Sequence, residues 1–74
     1  MAPGFVHTVY KRKTWINELE DGDELPGSYA TKEVAVAAGR EVAIDRQTEH
    51  VIHNQDGSIS ERNSYGKDPV SRPG

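Results

Sequence analysis

The hydrophobic pattern runs with a two-residue period, switches to a helical one, and then switches back. In "FVHTVY" Phe5, His7 and Val9 fall on one side and Val6, Thr8 and Tyr10 on the other. β-Branched and aromatic residues in alternation suit a pleated surface, so a strand is predicted from Phe5 to Tyr10. After "KRK" the alternation resumes in "TWINELE", setting Trp15, Asn17 and Leu19 against Ile16, Glu18 and Glu20. So short a separation is hairpin spacing. The second strand ends at Leu19, because "EDGDELPG" is acid-rich and broken by Gly22, Pro26 and Gly27, the composition of a loop.

"TKEVAVAAGREVAIDRQ" carries the helical period. Thr31 is placed to cap the first turn, and Glu33 to meet the positive end of the helix dipole. Val34, Ala35, Ala38, Gly39 and Val42 share one arc of the helical wheel, while Val36 and Ile44 lie on its flank. Gly39 costs about 1 kcal/mol against alanine inside a helix. Beside Ala35 and Ala38, its compensation is a close approach of the helix to a sheet. Then come a short strand "EHVIH", a turn "NQDG" and a returning strand "SISER". Gly57 is expected to hold a positive φ in that turn, whereas Gly22 sits in a loop free to adjust. Ile59 is read as the inward side chain of a solvated edge strand, and Tyr65 as packing back after it. The fold class expected is α+β, in the order strand, strand, helix, strand, strand, with an antiparallel sheet and one helix packed on one face. Residues 1–4 are read as a flexible N-terminus, 5–68 as the single domain and 69–74 as a disordered tail.

With 74 residues and no cysteine, a single small core has neither disulfide nor thiolate metal site to support it. A shared interface between copies would help, which predicts a homo-oligomer, most simply a homodimer. No apolar run is long enough to cross a bilayer and the N-terminus lacks the order of a secretory signal, so a cytoplasmic protein with no membrane role is expected. A net charge of −3 argues against a general nucleic-acid binder.

Chemical candidates are few. His50 and His53 form an H-x-x-H pair, but on a strand these positions point to opposite faces, so only a bulge would let them chelate one ion with His7 as third ligand, and ordinary strand histidines are the simpler reading. The simpler reading of His53 is an imidazole bonded to the "NSYG" backbone or to Asp56. Glu18, Glu20, Asp21, Asp23 and Glu24 lack the spacing of a calcium loop. Ser58, Ser60 and Ser64 come without a nucleophile elbow. No cofactor, metal or catalytic residue is assigned. The best binding candidate is "YKRKTW", where Lys11, Arg12 and Lys13 at a hairpin tip are flanked by Tyr10 and Trp15, combining phosphate-attracting charge with stacking surfaces. The same tip could meet the acidic loop of a second copy. Against both stands the need of a small core for its one tryptophan.

The "HTVY" strand, the tryptophan opening the second strand, "TKEVAVAAGREVA" and above all "HVIHNQDGSISERNSYGKDP" together resemble a small bacterial and phage family catalogued as domain of unknown function 2188. The resemblance runs from Val6 to Pro69, and its most specific part is the set His53, Asp56, Gly57, Ile59, Ser64, Tyr65 and Gly66, read as structural. This chain departs from the family at the first turn, where Lys11, Arg12 and Lys13 stand in place of a glycine and a polar residue, and in its acidic loop. The family implies a fold and no mechanism. The function expected is that of a non-catalytic binding or protein-interaction module that self-associates. The alternative is an accessory nucleic-acid-binding or antitoxin-like regulator using the basic tip.

Overall fold

The computed structural model describes residues 4–65. Its elements follow the expected order: β1 (Val6–Lys11), β2 (Thr14–Leu19), α1 (Lys32–Arg46), β3 (Glu49–His53) and β4 (Ile59–Ser64). The proposed tail and Gly66 lie outside the described residues. No helix among them is long and apolar enough to cross a membrane.

The sheet order is β2-β1-β3-β4. β1 pairs antiparallel with β2, and β3 with β4, but β1 and β3 run parallel. The expectation of a purely antiparallel sheet is therefore corrected to a mixed one. The cause lies in the acidic loop. It does not wander; it runs back along the outer edge of β2, with paired backbone bonds between Trp15 and Tyr29 and further bonds from Leu25 to Asn17 and from Leu19 to Asp23. This irregular strip carries the chain to the tip of the first hairpin. The helix then descends across the sheet, and β3 must start beside the start of β1 and run the same way.

Helix α1 begins where Thr31 accepts a bond from the Val34 amide, and ends with Gln47 in the left-handed region at φ 56°. Thr48 donates to Ala43 and Gln47 to Ile44, closing the last turn. Ala35, Gly39 and Ala43 are its buried residues, whereas Val34 and Ile44 are exposed at 54% and 46%. The buried stripe is thus narrower than the predicted arc, because residues without long side chains let the helix sit close to β1, β2 and β3. It stands off from β4, which it reaches through the Lys32 side chain.

Under Gly39 lies a polar layer. Thr8, Asn17 and His50 are buried there, on the helix-facing side of three adjacent strands. Thr8 Oγ1 donates to Asn17 Oδ1 at 2.5 Å, so His50 Nε2–H donates to Thr8 Oγ1, 2.7 Å away. Asn17 Nδ2 donates to the Ala35 carbonyl at 3.1 Å, which ties β2 to the helix one turn before the glycine. Burial without compensating bonds would be costly here, and these bonds remove most of that cost.

Candidate functional site

The basic tip is a two-residue turn with Arg12 at φ 52° and Lys13 at φ 67°. Those values are what a turn matching the twist of a hairpin needs, and they favour asparagine or glycine over cations with a Cβ. The tip does not project its charge freely. Lys11 Nζ pairs with Glu18 Oε1 at 2.9 Å and Arg12 Nη2 with Glu24 Oε1 at 2.9 Å, so basic tip and acidic loop meet within one chain. Trp15 is buried. Tyr10 packs against it with ring centroids 5.1 Å apart, and the Lys32 ammonium lies 5.9 Å from the indole centre. Of the pair named as a stacking platform, Trp15 is thus a core side chain, and half-buried Tyr10 packs on it.

The family-signature residues build the second hairpin. Asn54 donates to the Ser58 carbonyl, and the Gly57 amide to that of Asn54. Gly57 has φ 97° as expected, but Gly22 also stands at φ 99°, so the expected contrast between them disappears. Asp56 Oδ1 accepts from the Ser58 amide at 2.9 Å and its hydroxyl at 2.7 Å. Those two bonds hold the Asp56 carboxyl below its ordinary range. Ile59 is 56% exposed and is not an inward side chain. A bulge between Ile52 and His53 pairs His53 with Ile59 and turns both toward the sheet face away from the helix. Ser64 closes β4, and the Tyr65 amide donates to the Thr48 carbonyl at 3.1 Å.

Among the described residues His53 makes neither bond expected of it. Its Nδ1–H donates to the Gly57 carbonyl, 3.3 Å away. Its Nε2 lies 3.0 Å from His7 Nδ1, and His7 Nε2 lies 2.5 Å from Glu20 Oε1. A carbonyl and a carboxylate only accept, so His53 Nδ1 donates to Gly57 and His7 Nε2 to Glu20, and the two remaining ring nitrogens face each other. This chain crosses from β2 through β1 to β3 on the open face. The imidazole centroids are 5.2 Å apart, so the two facing nitrogens point at each other rather than converging on a common point as metal ligands do. His50 is on the opposite face, and no group of three metal-ligating side chains occurs among the described residues. Alternation alone could have placed His7 and Glu20 on one face. Nothing in the sequence brings residues 7 and 53 together, because that requires the parallel pairing of β1 with β3.

His50 has burial as the main cause, and the Arg40 guanidinium as the next, of a pKa lowered from 6.5 to about 4. Its Nδ1 is buried without a partner. A second proton would sit on that nitrogen with no acceptor.

Between the helix and the second hairpin lies a groove of about 300 Å3, lined by Lys32, Val36, Arg40, Ile52, Ser60 and Glu61 among others. Lys32 Nζ donates across it to Asn54 Oδ1 at 3.1 Å and Ser60 Oγ at 3.2 Å.

No curated protein and no solved structure matches this chain. The sequence profile of a family described as an uncharacterised protein conserved in bacteria, DUF2188, matches residues 6–65. That span runs from the start of β1 to the residue after β4, and includes every signature position named above except Gly66. The chain belongs to the DUF2188 family.

Proposed function

We propose that this protein is a small non-catalytic binding module that self-associates, working in the bacterial cytoplasm. The observation that carries this reading is the unequal treatment of the two sheet edges. The outer edge of β2 is covered by the chain's own Asp23–Tyr29 strip. β4 is exposed along nearly all its length, is touched by the helix through the Lys32–Ser60 hydrogen bond at its start, and has no strand paired to its outer side among the described residues. A bare strand edge is a template for another strand.

A non-catalytic role is supported by the state of the titratable groups. All four ring nitrogens of His7 and His53 are engaged within the chain, which leaves no lone pair aimed at a substrate. His50 is sealed under the helix. The nucleic-acid reading has less support, because Lys11 and Arg12 already hold carboxylates and Trp15 is buried. Sedimentation equilibrium from low to high micromolar protein tests the proposal. A dimer is expected; a monomer at high micromolar concentration, with a melting temperature independent of concentration, would refute it.

A further inference from the structure

The regular part of β4 has a register that limits how its edge can be used. Ile52, Val51, His50 and Glu49 pair in turn with Glu61, Arg62, Asn63 and Ser64, and the Tyr65 amide continues the ladder by donating to Thr48. Amides on an antiparallel strand alternate between its two sides. Since that of Tyr65 faces β3, those of Asn63 and Glu61 do too, and the backbone groups of Arg62 and Ser64 face outward. Before Glu61 the bulge breaks the alternation, and Lys32 holds the Ser60 hydroxyl toward the helix. The usable edge is therefore Glu61–Tyr65.

Among the described residues one edge of the sheet is covered and the other bare, so strand addition between copies closes after two. Resting on the self-association proposed above, we infer that two copies join through antiparallel pairing of β4 with β4 about a two-fold axis at Asn63, making one continuous sheet. The axis is normal to the sheet, so both helices lie on the same side of eight strands, twice the four of one copy.

Charge selects the centre. Pairing about Arg62 sets Arg62 against Arg62, and pairing about Glu61 sets Glu61 against Glu61; like charges directly opposite are unfavourable. Pairing about Asn63 uses the whole edge and sets Arg62 opposite Ser64 and Glu61 opposite Tyr65. Each Arg62 already reaches Glu49 at 3.1 Å within its own chain, and Glu49 is paired with Ser64. On the open face, Arg62 of the second copy thus comes next to Ser64 and one strand away from Glu49. On the helix side, Tyr65 of the second copy meets Glu61, which lines the groove. The two grooves then face each other across the axis.

Two measurements test the register. On the unaltered chain, amide exchange at Arg62 and Ser64 is expected to slow about tenfold or more between dilute and concentrated protein, since these amides gain partners only in the pair. The absence of cysteine allows single-cysteine reporters. Asn63 meets its own copy at a non-hydrogen-bonded position, where side chains come closest. Asn63→Cys is therefore expected to oxidise to a covalent dimer about tenfold faster than Ser28→Cys, which lies on the covered edge. Arg62→Pro, which removes an outward amide and no backbone bond within the chain, should abolish the dimer, whereas Arg62→Ala, which loses the same Glu49 ion pair but keeps the amide, should retain it. If sedimentation shows a dimer while the Arg62 and Ser64 amides stay unprotected and Asn63→Cys cross-links no faster than Ser28→Cys, the edge pairing is overturned and self-association stands. A wild-type monomer overturns both.

Discussion

A β-carbon on Gly39 would stand 2.7 Å from Nε2 of His50, and 2.4 Å and 2.9 Å from Asn17 Oδ1 and Thr8 Oγ1. The helix therefore rests on three hydrogen-bonded polar side chains with only a hydrogen atom of clearance. Gly39→Ala should gain about 1 kcal/mol of helix propensity and lose about 1–3 kcal/mol to overpacking. A net loss of up to about 2 kcal/mol in urea unfolding is expected from those terms. Stabilisation by alanine would mean the helix does not sit this close.

His50 makes stability depend on pH. The unfolded chain titrates near 6.5 and the folded one near 4, so between those values the unfolded state holds the extra proton. The stabilisation is full above pH 6.5 and drains away as pH falls toward 4. About 2 kcal/mol should be lost by about pH 5. Unfolding free energies in that window would reveal it, and a flat profile would show that His50 accepts its proton without strain.

At the first turn, Lys13 holds φ 67° with a Cβ and a cation exposed to solvent. Lys13→Gly should stabilise the protein by about 1 kcal/mol, the cost of a left-handed residue. Lys13 lies outside the ion pairs of its neighbours, so no such contact is lost. A destabilised variant would show that the lysine stem packs on something the turn needs.

Gly57 and Gly22 share a positive φ and open space around the missing side chain. Alanine at either should cost about 1 kcal/mol through the same backbone strain. Thermal melts of the two variants should therefore coincide, and a loss confined to Gly57 would restore the contrast drawn from sequence.

Three cations at a tip cannot hold a duplex tightly when two of them are paired in place. Specific duplex binding tighter than about 10⁻⁶ M is not expected at about 150 mM salt. Titration of labelled duplex and single-stranded oligonucleotides checks this. Submicromolar binding lost on replacing Lys11, Arg12 and Lys13 with alanine would promote the nucleic-acid reading.

Local physics alone determined much of the molecule. Alternation placed β1 and β2 and assigned their faces, Thr31 marked the start of α1, and the composition of "NQDG" located a positive φ at Gly57, because each of these depends on residues within one turn or one strand. Gly39 was legible as a point of close approach for the same reason. The tertiary structure decided what depends on long-range return of the chain. The Asp23–Tyr29 strip along β2 has no periodic signature, yet it carries the chain to the tip, makes β3 parallel to β1, and so brings His53 to His7 on one face and His50 to Thr8 on the other. It also covers one edge of the sheet while β4 stays bare among the described residues, a difference no window of sequence encodes, since it arises only when backbone groups distant in the chain compete for the same partners.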